Sequence, residues 1–228
     1  MDKFLAEGKT IIMKSYAIIG LGLFGTQLAK ELYDDGNSVL AIDINERLIE
    51  DISDDVSRAV CVDAKDRNAL SQLGISKYDC VIVALSGDLA TSVLVTMNLK
   101  ALNAKKIICK VKNDADREVL ETLGASSCII PEHIAATNLS KKLTGKNVLE
   151  FIQLSENYSI IEMATPACWV GKNIISLNIR SKYGVNVIGI RNSGTISVDF
   201  DPTEELKETD ELIIIGNNLQ IDRLQKLS

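Results

Sequence analysis

A chain of 228 residues, 46% apolar and 25% charged, has the make-up of a soluble globular protein, long enough for one large domain or two modest ones. With 25 basic against 31 acidic residues the net charge is −6, which offers nucleic acid no general attraction, so no nucleic-acid partner is expected. No apolar run approaches the roughly 18 to 20 residues that cross a bilayer, and residues 1–14 read as a leader without the basic-then-apolar order of a secretion signal, so a cytoplasmic chain is expected. The five cysteines, Cys61, Cys80, Cys109, Cys128 and Cys168, are odd in number and mostly embedded in apolar runs, and they read as reduced core thiols.

In chain order, short apolar runs near 15–20, 38–43, 58–62, 79–84, 106–110 and 127–130 read as strands. Helices are predicted between them. The first carries Leu28 and Leu32 on one face, the second follows Asn45, and others start near Asp66, Asp88 and Asp114, all good N-terminal residues. This alternation predicts the α/β class: a Rossmann-like, doubly wound parallel sheet. Pro131 opens a further helix, Glu132 to Leu143, whose Ala135, Leu139 and Leu143 form an apolar stripe that the finished sheet leaves uncovered, pointing to another domain or a second subunit. Thr144-Gly145-Lys146-Asn147 is a polar break, which places the first domain at 15–147 and a small α+β domain at 148–228. Beyond it, strands are expected at Val148–Leu154, Ser159–Met163, Val185–Arg191, Thr195–Val198 and Glu211–Ile215, with helices near Asn173–Tyr183 and Asn217–Leu227. Asn192-Ser193-Gly194 is a hairpin signal and Pro202 marks a loop.

The chemistry concentrates at the first strand-helix-strand unit. Gly20, Gly22 and Gly25 have the G-x-G-x-x-G spacing, and Asp43 closes the next apolar run. Gly20 permits a tight turn, Gly22 clears the approach to a pyrophosphate, and Gly25 lets the following helix sit close on the sheet. A helix N-terminus then faces the phosphates, and the Asp43 carboxylate can accept hydrogen bonds from ribose hydroxyls. An adenine nucleotide is the natural ligand. The plainer alternative is a glycine turn kept only for packing.

Catalytic groups are harder to find. Tyr16, Tyr33, Tyr78, Tyr158 and Tyr183 all lack a lysine four positions on, so the Tyr-x-x-x-Lys pair of short-chain dehydrogenases is missing. His133 is the only imidazole, and it sits beside a helix start, where a surface or capping role is commoner than a general acid. There is no Gly-x-Ser-x-Gly elbow, Walker lysine or metal-ligand spacing. A nucleotide site without chemistry suggests a sensor.

With these residues in view, the chain resembles the RCK (KTN) domain regulatory subunits of potassium transport, of Ktr and Trk type, which carry TrkA N and C domains. The resemblance rests on Ile19-Gly20-Leu21-Gly22-Leu23-Phe24-Gly25, on Ala41-Ile42-Asp43-Ile44-Asn45, on Val62-Asp63-Ala64, on Lys110, on Leu123-Gly124-Ala125 through Ile130-Pro131-Glu132, and on residues 174–184. It implies a non-enzymatic gating subunit that binds ATP, ADP or NAD(H), assembles from dimers into an octameric ring, and sits on the inner face of the membrane beneath a transporter subunit of KtrB or TrkH type. By the same resemblance Gly20, Gly22, Phe24 and Gly25 hold the phosphates, Asp43 the ribose, and Asp63 with Ala64 the adenine end, with Leu23 and Ile44 also counted among the nucleotide-binding positions. Ala84 and Leu85 wall the pocket, and Lys110 approaches the terminal phosphate or its counter-charge. Glu132 is implied as a ligand for Mg²⁺ or Ca²⁺, ions that suit an oxygen donor. A cyclic di-AMP site is implied in the C-terminal domain, at Ile174, Ile175, Asn178, Ile179 and Arg180. Plainer readings stand beside three of these: a solvated strand-end lysine at Lys110, capping or surface roles for Asp43 and Glu132, and an exposed arginine on an amphipathic helix at Arg180.

Two positions depart from the family pattern. Leu23 stands where ATP-responsive members usually carry arginine, and Ala84-Leu85-Ser86 where Ala-Ile-Gly is common. The first removes a charge-assisted bond to a γ-phosphate and shifts the expectation towards NAD(H), AMP or a diphosphate. The rival readings from the residues are an NAD-dependent oxidoreductase and a redox-sensing DNA regulator, the latter weakened by the acidic charge.

Overall fold

The computed structural model describes residues 13–85, 87–144, 148–155 and 157–224. The leader lies almost wholly outside them, as do Ser86, Gly145, Lys146 and Asn147. The chain forms two compact units that divide between Pro131 and Glu132. The helix after Pro131, read from the sequence as the close of the first domain, belongs by its contacts with the second unit.

The first unit alternates strand and helix: β1 (Ser15–Ile19), α1 (Leu23–Asp34), β2 (Ser38–Asp43), α2 (Glu46–Ile52), β3 (Arg58–Cys61), α3 (Arg67–Gln72), β4 (Cys80–Val83), α4 (Leu89–Ala101), β5 (Ile107–Lys110), α5 (Asp114–Leu123) and β6 (Ser127–Ile129). All six strands run parallel in the order β3-β2-β1-β4-β5-β6. Parallel strands covered on both faces are apolar at successive positions, which is why they stand out in the sequence as unbroken runs. Ala17 and Ile19 of β1 join Val81 and Val83 of β4 in one core beneath α4 and α5. Ile18, Cys80 and Ile82 point to the opposite face, where Leu28, Leu32 and Ile49 of α1 and α2 cover them. Each such fully buried Ile or Leu contributes about 1.5–3 kcal/mol relative to exposure.

The thiols divide by depth. Cys80 and Cys109 are buried and Cys128 is partly covered, whereas Cys61 and Cys168 are exposed, against the expectation of core thiols. Cys61 ends a strand on a sheet edge, where apolar neighbours in sequence do not ensure cover.

The second unit opens with α6 (Pro131–Thr144) and continues through β7 (Val148–Gln153), β8 (Tyr158–Ala164), α7 (Ile174–Leu177), α8 (Ile179–Tyr183), β9 (Asn186–Asn192), β10 (Thr195–Ser197), β11 (Glu211–Asn217) and α9 (Asn218–Leu224). Its strands form an antiparallel sheet in the order β10-β9-β11-β8-β7. Trp169, Ile161, Leu212, Ile214 and Ile221 build its core. The single helix expected at Asn173–Tyr183 is two short ones, because Asn178 adopts φ +47° and breaks the hydrogen-bond ladder between them. Asparagine is among the few non-glycine residues that visit this left-handed region readily. Residues 225–227 of the last predicted helix lie outside the described residues. Leu139 and Leu143 of α6 are exposed, as the uncovered stripe required.

At the end of the parallel sheet away from the glycine loop, Asp79 joins three segments. Its Oδ2 accepts from the Ser15 N–H and hydroxyl, each at 2.9 Å, and its Oδ1 pairs with Lys105 Nζ at 2.9 Å. Lys105 first, then the Ser15 donors, hold the carboxyl down at about 2. That lies below the ~3.9 of an unfolded aspartate, so the stabilisation is fully present above about pH 4 and is lost as the pH falls towards 2. Wild-type protein is therefore expected to lose more stability than Asp79→Asn between about pH 5 and pH 2, as read by urea unfolding at each pH. Equal losses would show that the pairing carries no acid sensitivity.

Candidate functional site

The strand order reverses direction between β1 and β4, and a crevice opens at the carboxyl ends of the strands on either side of such a reversal. The loop after β1 shapes it. Gly20 has φ +98°, and a Cβ there would lie 3.0 Å from the Ala84 carbonyl. A Cβ at Gly25 would lie 1.9 Å from the Gly20 carbonyl oxygen, an overlap that cannot be accommodated without moving backbone. Gly22 has φ −67°, a value any residue adopts, so its glycine is not a demand of the backbone.

Asp43 braces this loop from the end of β2. Its Oδ2 accepts from the Leu21 N–H at 2.7 Å, and its Oδ1 accepts from the Asn45 N–H at 2.9 Å. Thr26 closes the other side, donating its hydroxyl to the Leu21 carbonyl at 2.9 Å. The loop then enters α1 with Gly22 as N-cap, with no side-chain cap and no acid in the first turn. The next four helices of the unit are all capped by side chains: Asn45 for α2, Asp66 for α3, Asp88 for α4 and Asn113 for α5. α5 starts at Asp114, as expected, and Asn113 just before it supplies the cap. An uncapped helix start leaves N–H donors and the positive end of the dipole to an incoming anion.

Beside the loop lies a cleft of about 160 Å³. Ile19, Gly20, Ile42, Asp43 and Ile44 form one side; Val62, Asp63, Ala64 and Lys65 another; Leu85, Thr91 and Val95 close it. Gly20, Asp43, Ile44, Asp63, Ala64 and Leu85 were thus expected from the sequence and meet here, and Ala84 backs onto Gly20. Gly22, Leu23, Phe24 and Gly25 belong to the loop and helix start beside the cleft, not to its walls. Leu23 is 94% exposed. Lys110 faces a neighbouring hollow of about 100 Å³ with Lys112, Asp88 and Asp116, and its Nζ lies 6.0 Å from the Phe24 ring centroid. Leu85 is shared by both spaces.

Sequence reading missed Ile19, Ile42, Val62, Lys65, Thr91 and Val95. The first four adjoin predicted site residues and were within reach. Thr91 and Val95 had no local signal, because α4 arrives at the cleft only through its packing over the sheet.

In the second unit Ile174, Ile175, Asn178, Ile179 and Arg180, all expected, line one hollow of about 310 Å³ with Val185, Asn186 and Val187. The left-handed turn at Asn178 bends α7 away from α8 there. Glu132 is the second residue of α6. Among the described residues no group of three or more His, Cys, Asp and Glu is placed to hold a metal ion.

Fold and cleft define a Rossmann-type module followed by an antiparallel α+β domain. Comparison with known families matches residues 16–131 to the TrkA-N domain and residues 140–228 to the TrkA-C domain. Ktr system potassium uptake protein A of Bacillus subtilis (strain 168) is 37% identical over 93% of this chain and 96% of its own. Ktr system potassium uptake protein C of the same organism is 35% identical over the same shares. Among solved structures, the GsuK channel superposes with a TM-score of 0.69 at 21% identity, covering 96% of this chain and 40% of that one, and the GsuK channel bound to NAD with 0.65 at 19% over the same shares. The chain belongs to the Ktr and Trk family of potassium uptake proteins.

Gly25→Ala is expected to cost about 1–3 kcal/mol in urea unfolding, from the forced backbone shift, whereas Leu23→Ala should stay within about 0.5 kcal/mol. Similar values for the two would show that the loop tolerates a side chain at Gly25.

Proposed function

We propose that this chain is the regulatory, gating subunit of a potassium uptake system, switched by an adenine nucleotide held in the cleft after β1. The observation that carries the nucleotide reading is the start of α1: a glycine loop, braced by Asp43, that enters a helix without a side-chain cap. The phosphates of the nucleotide lie over Gly22, Leu23, Phe24 and Gly25, where N–H groups and the helix dipole meet an anion. Gly22 keeps their approach clear. Each Asp43 oxygen takes one backbone donor and retains a lone pair for a ribose hydroxyl. The same carboxylate repels a 2′-phosphate, which favours NAD(H) or adenosine phosphates over NADP(H). Adenine lies against Asp63 and Ala64, and Lys110 in the adjoining hollow offers a positive charge to the far end of a longer ligand. Without an arginine at position 23, a γ-phosphate gains little, so ADP or NAD(H) binds at least as well as ATP.

The nucleotide acts as a signal and is not turned over. A ligand shifts a two-state assembly only by its difference in affinity for the two states, so the site must differ between the closed and open forms of the ring. Among the described residues no helix is long and apolar enough to cross a membrane. In this proposal the potassium pathway belongs to a membrane-embedded partner of KtrB or TrkH type, beneath which homodimers stack into a ring at the cytoplasmic face. Glu132 supplies an oxygen ligand to Mg²⁺ or Ca²⁺ at the nucleotide of a neighbouring subunit. Arg180, with Ile174, Ile175, Asn178 and Ile179, receives a phosphate of cyclic di-AMP in the second unit.

Thermal-shift titration tests the ligand reading, because a compound that binds only the native state raises its stability, by about 2.7 kcal/mol at a hundred times its dissociation constant. ADP, ATP, NAD⁺ and NADH should raise the midpoint and NADP⁺ should not, and Asp43→Ala should abolish the response. Arg180→Ala should remove only the response to cyclic di-AMP. No shift with any adenine nucleotide, or potassium uptake unchanged on deletion of the chain, refutes the proposal.

A further inference from the structure

Asn98 sits about three-quarters of the way along α4, on the helix that carries the core residues Val95 and Leu99, and is only 3% exposed. A buried side-chain amide is costly unless both its ends are paired. Neither end of this one is spent on its own helix. Its Oδ1 accepts from Arg67 Nε at 3.1 Å, and its Nδ2 donates to the Lys65 carbonyl at 2.9 Å. Lys65 closes the turn after β3 whose Asp63, Ala64 and Lys65 form one wall of the cleft, and Arg67 opens α3 just beyond it. That turn is already stiff within itself: the Asp66 N–H donates to the Asp63 carbonyl at 3.0 Å, and the Lys65 N–H donates to Asp63 Oδ1 at 2.9 Å. Those bonds set its shape, and the Asn98 amide sets its place against α4. Thr91 and Val95, seven and three residues earlier on the same helix, line the cleft directly, so one face of α4 both touches the ligand space and carries the clamp.

We propose that Asn98 is a positioning residue for the base end of the nucleotide cleft, fixing the distance between the turn at 63–65 and α4 and thereby the space left for a purine. This rests on the reading of the cleft as an adenine-nucleotide site. The clamp acts on the β3 side of Asp43, while the phosphates are held by the loop before α1, so its loss is felt at one end of the ligand only. A leucine at this position fills a similar volume in the core and keeps neither bond. An aspartate keeps the acceptor for Arg67 and loses the donor to the Lys65 carbonyl.

Isothermal titration of wild type, Asn98→Leu and Asn98→Asp with ADP, GDP and inorganic pyrophosphate tests the role. Asn98→Asp should bind ADP about tenfold more weakly, the size expected for one lost buried hydrogen bond, and Asn98→Leu, which loses both, should bind it more weakly still. Their preference for ADP over GDP should narrow, and pyrophosphate affinity should stay within about twofold. Hydrogen–deuterium exchange of ligand-free Asn98→Leu should quicken at the amides of Ala64, Lys65 and Arg67 and remain slow in β1. Equal losses for ADP and pyrophosphate, or exchange quickened throughout the sheet, would mean general damage and overturn the assignment. Wild-type binding of ADP with unaltered variants overturns the clamp alone, whereas a wild type that binds neither ADP nor GDP overturns the site and the clamp together.

Discussion

One carboxylate fixes the geometry on which the site depends. Asp43 reaches from the end of β2 to the Leu21 N–H, and Leu21 is 1% exposed, so without that acceptor a buried donor would be left unpaired. Bonds of an amide to an ionised acceptor are about twice as strong as neutral ones. Holding Leu21 places Gly20 against Ala84 and Gly25 against Gly20, and these contacts aim the start of α1 across the crevice. The same atom group can therefore serve both the fold and a ribose, and a change at position 43 acts on both.

The two units divide the work by their chemistry. The first is a parallel sheet buried on both faces, with a cleft beside the uncapped start of α1 and a smaller hollow at Lys110. The second is an antiparallel sheet with helices on its core side and a hollow formed where Asn178 interrupts α7 and α8. Exposed Ile134, Leu139 and Leu143 on α6 give this unit apolar surface suited to assembly.

The parallel sheet was legible because burial on both faces imposes unbroken apolar runs, and the starts of α2, α3 and α4 because Asn45, Asp66 and Asp88 are capping residues by type. The loop itself was legible for a similar reason: glycines at fixed spacing after one strand and an acid at the end of the next mark a tight turn, which Gly20, Gly25 and Asp43 form. What escaped was set by tertiary packing. Thr91, Val95 and Asn98 look like ordinary positions of an apolar helix until α4 is laid over the sheet. The break at Asn178 escaped because helical periodicity runs through it, and one residue at positive φ leaves no pattern. The place of Lys110 in a hollow beside the cleft depends on how α5 and the loop at Gly87 close over β5, which spacing along the chain does not encode.

A crystal structure of the protein grown with ADP tests the central claim most directly. The account predicts the diphosphate over the backbone N–H groups of Leu23, Phe24 and Gly25, with a ribose hydroxyl on the Asp43 carboxylate. Well-ordered ADP bound elsewhere, with the crevice beside Gly20 holding only solvent, contradicts it.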